Sequence, residues 1–499
     1  MMQICREKQL IFHLQQATVA PLQQTLRTGV CALLAVLMLF VIAPLQAQNV
    51  VLSPGADVAA RVAAAPPGTK FVFSPGIYVA QQINPKDGDS FTGEGKAILD
   101  GAEPISFTSS GNLWSAPVGL ITIGKIRCMP DHPLCNIQRD LYLDNDILTP
   151  IADPTVLNAH TWFYDQTNGR AVINFNPAGH KLEISTVKFA FNNTGRNVTI
   201  THLIVEKYAS PPQFGAIGGQ GPLTNGQGGA QGWTVTDTEV RLSHGTGIQL
   251  SDHATIEKCN VHHNGQKGIG ARGLDVLVEN SEIAFNNYAG YDPGWEAGGT
   301  KFARTTNLRV LNNYVHDNVG SGLWTDIDNK NTTYRLNRVD NNAGSGIQHE
   351  ISYDAVIENN TLRWNGVPPR ISLWQAQISV QNSSNVIVRD NVVIVPPSAG
   401  NGIVVINQER GTGDLGTRLA VNNQIRHNTI TFEGTGGASG LMDSLGTAAN
   451  NIFDDNIYIF KVGGQHFEWH GKKSWEQYRA LGNDPSSRIV DASGKPIKP

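Results

Sequence analysis

The sequence predicts an all-β protein, built as a single-stranded solenoid of parallel strands. A repeat of 20 to 30 residues is typical of a solenoid in which each unit packs only on its neighbours. Here an asparagine returns at intervals as short as 23 and 24 residues, each time two residues before an apolar or aromatic residue. Cys259 and Ser281 occupy the same position in earlier units, and the asparagines of this series are Asn313, Asn337, Asn360, Asn391, Asn428 and Asn456.

The pattern inside each unit favours strands over helices. Apolar residues alternate, as at Leu308 and Val310, and Asn and Gly mark turns every few residues. Parallel strands joined by crossovers favour a right-handed coil. Stacked asparagines can bond to one another inside the cylinder, which satisfies polar groups that are costly to bury alone. The alternative is that they are surface turn formers.

Composition agrees with one large solenoid that carries additions. The chain has 499 residues, 52 of them Gly, and only 16% are charged. The net charge is −4 at pH 7 and no basic stripe is present, so we expect no nucleic-acid partner.

The N-terminus reads as a signal peptide over residues 1–47. Residues 29–45 are almost wholly apolar, Arg27 precedes them, and a cleavage site fits before Gln48. An uncleaved anchor is the alternative, although a membrane span needs about 20 residues. We therefore expect a secreted, periplasmic or extracellular protein with no membrane span after cleavage. Export would permit a disulfide between Cys128 and Cys135, and we expect Cys259 to be a buried thiol.

The mature chain divides into four segments. We expect an N-terminal cap and first coils over 48–105 with a short helix, a β insertion over 106–190, the main solenoid over 191–462, and a C-terminal cap with a second short helix over 463–499. Long spacings between ladder residues place extra loops at 287–302 and 366–377 and between Asn391 and Asn428. Such loops commonly build binding sites on a rigid scaffold.

Two neighbouring coils carry acidic residues at matching positions. If Leu323 and Ile347 point inward, the period of two turns Asp326 and Glu350 outward, adjacent in space and about 4.8 Å apart at the backbone. Two carboxylates about 5 Å apart are typical of a retaining glycosidase. Like charges so close raise the pKa of one member, as a general acid requires. The alternative is that both are solvated turn residues.

Aromatic and basic residues surround this pair on the predicted outer face. Exposed tryptophans suit stacking on sugar rings, and the cations suit charge balance or substrate contacts. The predicted substrate-binding residues are Arg272, Trp295, Glu296, Lys301, Trp324, Gln348, His349 and Trp374.

These motifs carry a resemblance to a known family. The coils resemble the right-handed parallel β-helix proteins of the pectate-lyase-like superfamily over nearly the whole mature chain. GGTK, GLWTDID and GIQHEIS are similar to motifs of the β-helix glycosidases typified by β-xylosidases. The resemblance implies that Asp326 is the nucleophile and Glu350 the acid/base. The insertion over 106–190 also resembles the one in such enzymes.

Two other functions stay open. In a polysaccharide lyase, Lys301 or Arg272 would abstract a proton beside a uronate carboxyl, and carboxylates would bind Ca²⁺. A glycan-binding or cell-surface protein would bind carbohydrate without turnover. For the hydrolase we expect no cofactor or metal. His262, His263 and His316 lack zinc-ligand spacing, and the glycine-rich stretch lacks a P-loop.

Overall fold

The computed structural model describes residues 49–121, 127–219, 229–367, 373–398 and 400–497, and the predicted signal peptide lies outside them. Strands of successive coils pair in parallel along three ladders, which enclose an apolar core. The predicted fold class, an all-β single-stranded parallel solenoid with an insertion and short capping helices, is confirmed. No described helix combines the length and apolar character that crossing a bilayer demands.

One ladder carries the predicted site and is called the site ladder. Its strands pair in parallel except the last, which turns back antiparallel on its neighbour. They are Gly215–Ile217, Thr246–Leu250, Lys267–Leu274, Gly298–Thr306, Leu323–Asp326, Ile347–Glu350, Ala376–Gln381, Asn401–Asn407, Ser439–Asp443, Phe467–Trp469 and Lys472–Lys473.

A second ladder joins the site ladder where Thr306 pairs with Lys330. Its strands are Asn49–Leu52, Lys70–Phe73, Ser90–Gly93, Thr199–Thr201, Thr234–Thr236, Thr255–Glu257, Leu277–Glu279, Arg309–Leu311, Lys330–Arg335, Tyr353–Glu358, Ser384–Arg389, Gln424–Arg426 and Ile452–Asp454.

The third ladder forms a separate parallel sheet. Its strands are Gly76–Val79, Ala97–Asp100, Ile204–Glu206, Glu239–Arg241, Asn260–His262, Glu282–Ala284, Tyr314–His316, Arg338–Asp340, Thr361–Arg363, Val392–Val395, Thr429–Phe432, Ile457–Phe460 and Arg488–Asp491.

The insertion is a mostly antiparallel sheet with its own apolar core around Trp162. A short 3₁₀ helix, Pro154–Val156, lies within it. Its strands are Ala102–Pro104, Thr108–Ser110, Leu113–Pro117, Leu141–Leu143, Asp146–Ile151, Thr161–Asp165, Arg170–Ile173 and Leu182–Ser185.

Two short α-helices stand near the ends of the described chain. Val58–Ala64 begins after the N-cap Asp57, and Trp475–Ala480 begins with a capping box at Ser474. Each helix buries two side chains, one turn apart, in the core of the solenoid.

The repeated asparagines form the predicted internal ladder. Asn337 is typical: its Oδ1 accepts from the backbone N–H and the side-chain amide of Asn313, at 3.0 Å each. Its own amide donates to the carbonyl of Val310 and to Oδ1 of Asn360. The residue before each asparagine of the series has φ between +52° and +59°, as at Asn312 and Asn359. Asn and Asp tolerate that conformation, which explains why polar residues recur beside the ladder.

The cysteines lie as the sequence predicts. Cys128 and Cys135 form a disulfide, with Cα atoms 5.7 Å apart. Cys259 is buried in the core, and its backbone N–H donates to Ser281 Oγ at 3.1 Å. Burial raises the pKa of the Cys259 thiol to about 12, so this residue is a packing element and not a nucleophile.

Candidate functional site

Asp326 and Glu350 are direct neighbours on the site ladder. They pair in register across adjacent parallel strands, as do Trp324 and Gln348 two residues earlier. Both carboxylates are largely buried. The predicted adjacency of the pair is confirmed, whereas their catalytic roles stay a prediction.

Glu350 is surrounded by N–H donors. Its Oε2 accepts from the indole N–H of Trp324 at 3.1 Å and from the side-chain amide of Gln348 at 2.7 Å. Its Oε1 pairs with the guanidinium of Arg410. Gln348 is fixed in turn, because its Oε1 accepts from Ser321 Oγ at 2.7 Å. All three contacts suit a negatively charged Glu350.

The two carboxylate oxygens of Asp326 differ in their contacts. Its Oδ2 lies 2.8 Å from Lys301 Nζ, whereas its buried Oδ1 makes no hydrogen bond within the described residues. Burial raises the pKa of Asp326; the positive charge of Lys301 opposes this shift and the negative charge of Glu350 adds to it. Oδ1 of Asp326 therefore has no hydrogen-bond partner among the described residues, whereas the neighbouring carboxylate of Glu350 has three.

A chain of buried ion pairs, in which positive and negative side chains alternate, leads away from Asp326. Lys301 also contacts Glu296 at 3.1 Å, and Glu296 contacts Lys267 at 2.6 Å. Burial disfavours the charge of Lys301, but Glu296 and Asp326 together raise its pKa. Among the described residues Lys267 pairs with Glu296 alone, and burial lowers the pKa of Lys267. Lys301 is thus held as a cation by two carboxylates.

The ion pairs of Glu296 make the free energy of unfolding depend on pH. Although burial disfavours its charge, Lys267 and Lys301 hold the pKa of Glu296 at about 2. A carboxylate whose pKa is lower in the folded than in the unfolded state stabilises the fold at pH values above its unfolded pKa, here about 4.3. This contribution is lost as the pH falls towards about 2. Glu296→Gln should therefore lower the free energy of unfolding by roughly 2–3 kcal/mol at pH 7. The deficit should shrink below pH 4.

Urea unfolding of the parent and of Glu296→Gln at pH 7 and pH 3.5 checks this expectation. The exposed Glu94 provides the matched control, Glu94→Gln, which should leave stability unchanged at both pH values. A deficit for Glu296→Gln that is equal at the two pH values would rule out the charge chain as its cause.

Two residues that are predicted to contact substrate are buried, and their role in substrate binding stays a prediction. Trp324 was expected to offer an open face to sugar, but it is 3% exposed and Lys301 Nζ lies 3.8 Å from its ring centroid. His349 points into the solenoid, where Thr325 Oγ1 lies 2.7 Å from its Nδ1. The period of two that turns Glu350 outward necessarily turns His349 inward. Burial lowers the pKa of His349 to about 3, so it is neutral.

The other predicted substrate-binding residues lie in the surroundings of Asp326 and Glu350. Trp295 packs its ring against the Cys128–Cys135 cluster, while its carbonyl accepts from Lys301 at 2.7 Å. Arg272 is half-buried at a register shift two coils before Asp326. Trp374 packs against an apolar cluster that includes Val404 and Ile406, two residues on the site ladder beyond Glu350. Lys301, Glu296 and Gln348 belong to the immediate site.

A hairpin over residues 408–418 brings to the site two arginines that the sequence pattern does not indicate. It contains the paired strands Thr412–Gly413 and Gly416–Thr417. Arg410 reaches Glu350, and Arg418 contacts Asp328 at 2.9 Å. The long spacing from Asn391 to Asn428 signals an inserted loop, but no spacing reveals that it folds back over earlier coils.

A separate cavity of about 420 Å³ lies between the insertion and the coils. Asp140 and His244 line it, and His244 Nδ1 lies 3.1 Å from both oxygens of Asp140. His244 Nε2 is 2.9 Å from the hydroxyl of Tyr291, and Tyr288 donates to Asp140 at 2.8 Å. This buried polar chain joins the insertion to the solenoid.

Comparison with known proteins gives the handedness of the coil. Residues 223–393 match the family described as "Right handed beta helix region". The chain is a right-handed parallel β-helix. No curated protein matches its sequence.

Solved structures share the architecture of this β-helix. The structure of XylC with xylose superposes with a TM-score of 0.65 at 15% identity, covering 89% of this chain and 86% of XylC. A glycoside hydrolase gives 0.39 at 10% identity, covering 82% and 96% of the two chains. The A-module of the Azotobacter vinelandii mannuronan C-5 epimerase AlgE6 gives 0.43 at 13%, covering 88% and 93%. At these identities the likeness to XylC shows the fold.

Proposed function

We propose that the protein is a secreted retaining glycoside hydrolase, with Asp326 as nucleophile and Glu350 as acid/base. The observation that carries the proposal is the in-register pairing of the two carboxylates on adjacent strands. Parallel strands lie about 4.8 Å apart, which matches the separation of about 5–5.5 Å in retaining enzymes. Inverting enzymes need a wider gap for a water molecule.

The first chemical step forms a bond from Asp326 to the sugar. Oδ1 of Asp326 attacks the anomeric carbon, the bond from that carbon to the leaving oxygen breaks, and Glu350 gives its proton to that oxygen. In the second step Glu350 takes a proton from water, and the water oxygen attacks the anomeric carbon and releases Asp326. After the first step Asp326 is esterified and Glu350 is a carboxylate, because its proton has left with the departing oxygen. After the second step Glu350 is protonated again and Asp326 is again a carboxylate.

The contacts of Asp326 suit the nucleophile. Lys301 binds Oδ2, and Oδ1 makes no hydrogen bond to any residue that the structure describes, so its lone pairs can attack the anomeric carbon. The ion pair with Lys301 opposes the rise that burial and the charge of Glu350 give to the pKa of Asp326, and in this way supports the carboxylate that a nucleophile requires. Glu296 and the Trp295 carbonyl hold Lys301 in place for this task.

The substrate class and the location belong to the same proposal. XylC was solved with xylose and shares the fold over most of both chains, so xylose-containing oligosaccharides are the first substrates to test. The apolar segment at 29–45 and the Cys128–Cys135 disulfide favour export to an oxidising compartment.

Lysine-based lyase chemistry has less support. A catalytic base must be able to lose its proton, whereas two carboxylates raise the pKa of Lys301. In the part of the chain that the structure describes, no three His, Cys, Asp or Glu side chains converge as metal ligands. Arg272 would have to act as the base with a guanidinium that stays protonated in proteins.

Turnover by the purified protein on aryl glycosides, xylo-oligosaccharides and a panel of polysaccharides tests the proposal. Reducing ends and ultraviolet absorbance are followed together, with Asp326→Asn beside the parent. New reducing ends without absorbance, abolished in the variant, are the expected result. Absorbance from unsaturated ends would instead indicate a lyase. Binding without turnover across the panel would indicate a glycan-binding protein.

A further inference from the structure

We propose that the hairpin over residues 408–418 is a lid, which covers Asp326 and Glu350 in this structure and lifts to admit a glycoside. This inference rests on the proposed hydrolase function and concerns how substrate reaches that site. Arg410 on the hairpin pairs with Glu350, and the charges of Arg410 and Arg418 both act on Asp326. The hairpin therefore lies over both coils of the carboxylate pair.

The site is closed to a sugar ring as the structure stands. Asp326 and Glu350 are 7% and 5% exposed, and Oδ1 of Asp326, the oxygen proposed to attack the anomeric carbon, is buried. The reacting atoms must approach to about 3–3.5 Å before the bond can form. A sugar ring cannot come that close to an oxygen that water does not reach, so a covering element has to move.

The strands of the site ladder and Lys301 are poor candidates for this movement. The strands of Asp326 and Glu350 are each paired in parallel with a strand on either side. Lys301 is 6% exposed and contacts Asp326, Glu296 and the carbonyl of Trp295. Displacing any of these elements would break buried hydrogen bonds or ion pairs.

The hairpin is a much looser element. Its own ladder consists of two residue pairs, between the strands Thr412–Gly413 and Gly416–Thr417. Every residue over 409–417 is exposed except Arg410 and Gly413, which are half-buried. The hairpin thus covers the site without contributing to the core of the solenoid.

Few contacts have to break when the hairpin lifts. Arg304 pairs with Asp414 at 2.8 Å, and the Tyr353 hydroxyl donates to the Gly416 carbonyl at 3.1 Å. Both members of the Arg304 pair are exposed, and such a pair adds little net stability. The Arg410 side chain is 26% exposed, so water can replace its contact with the site.

The base of the hairpin is fixed, which limits the moving part to residues 409–417. The side-chain amide of Asn382 donates to the carbonyls of Gln408 and Arg418, at 2.6 and 2.8 Å. Between these anchors Gly411 and Gly416 have φ of +65° and +115°, and a Cβ atom at either would meet open space. Glycine changes such backbone angles without a steric cost, so we expect the lid to swing at these two residues.

A reversible cross-link between the lid and the coil tests the proposal. A Cβ atom at Gly413 would lie 2.9 Å from Cγ of Asp328, the position that a cysteine sulfur would take. Asp328→Cys together with Gly413→Cys should therefore form a disulfide, which needs Cβ atoms about 3.5–4.5 Å apart. In the oxidised double variant, turnover of an aryl glycoside should fall to the fraction of molecules that are not cross-linked. A dithiol should restore it.

Two control variants isolate the effect of the cross-link. Asp328→Cys alone removes the partner of Arg418 but cannot tie the lid down. Thr412→Cys together with Thr417→Cys joins two residues that face each other within the hairpin, which leaves it free of the coil. Turnover by both controls should be the same with and without the dithiol. The parent, treated alike, reports any effect of the dithiol on its own disulfide.

Access to Asp326 can also be measured without turnover. A water-soluble carbodiimide couples an amine to carboxyl groups that solvent reaches, and peptide mass spectrometry measures the amide formed at Asp326. Labelling should be slower in the oxidised double variant than in its reduced form. It should be faster than in the parent when two glycines replace residues 410–417, a variant that keeps the test available if the cysteine pair prevents folding.

The two proposals fail in different ways. An inactive parent whose Asp326 is protected by the cross-link would reject the hydrolase and keep the lid. Unchanged labelling of Asp326 in the oxidised double variant would overturn the lid, whatever its turnover. Labelling at the parent rate in the variant with the shortened hairpin would overturn it as well.

Discussion

Glu350→Gln should lower kcat on a glycoside with a poor leaving group by roughly 10²–10⁴-fold, the usual contribution of a general acid. Glutamine has nearly the same shape and can still accept hydrogen bonds from Trp324 and Gln348, but it cannot transfer a proton. A dinitrophenyl glycoside needs little protonation of its leaving group, so the first step on it should be far less affected. Steady-state kinetics on both substrates measure the difference.

Azide adds a second readout for the role of Glu350. In Glu350→Gln, azide can attack the glycosyl-enzyme without base assistance, so it should restore turnover of the activated substrate and yield a glycosyl azide. Glu358→Gln is the control on the same coil, where Glu358 pairs with Arg389 at the surface. Equal losses on both substrates, without azide rescue, would contradict an acid/base role for Glu350.

Asn337→Ala should lower the free energy of unfolding by roughly 2–4 kcal/mol, the largest stability effect that we expect. Asn337 is buried, and its side chain takes part in four hydrogen bonds with the preceding and the following coil. Alanine removes the acceptor of the Asn313 backbone N–H and one of the two acceptors of the Asn313 side-chain amide, and it leaves the Val310 carbonyl without this donor. Each buried polar group left unsatisfied costs about 1–3 kcal/mol, although water entering the gap reduces the sum.

Chemical denaturation measures this loss against a matched surface change. Asn260 is an exposed asparagine of the third ladder, and Asn260→Ala should change stability by less than about 0.5 kcal/mol. If the two variants were equally stable, the asparagine ladder would not be a main source of cohesion between coils.

The ladder could be predicted from sequence because its signal is repetitive. Each asparagine follows a residue in the left-handed backbone conformation and precedes an apolar residue that points inward. This one periodic pattern therefore indicates both the length of a coil and which residues of successive coils stack on one another. The same register correctly places Asp326 beside Glu350. Side chains alternate strictly between the two faces of a strand. Asp326 and Glu350 can therefore be placed on the outer face once Leu323 and Ile347 are known to point inward.

The environment of the pair could not be predicted in the same way. Alternation tells which side of a strand Trp324 lies on, but not that Lys301 covers its ring. Arg410 lies 60 residues after Glu350 in the sequence and reaches it because its hairpin folds back over earlier coils. Loop conformation depends on contacts between insertions, for which the repeat carries no information.

The stereochemistry of hydrolysis tests the central claim most directly. Proton NMR of the parent enzyme with its best aryl glycoside identifies the anomer that forms first, before mutarotation. Two carboxylates on adjacent strands predict retention of the anomeric configuration through a glycosyl-Asp326 intermediate. Inversion would contradict the account, because it requires a water molecule between carboxyl groups about 6.5–9.5 Å apart, which is wider than the spacing of about 4.8 Å between adjacent strands.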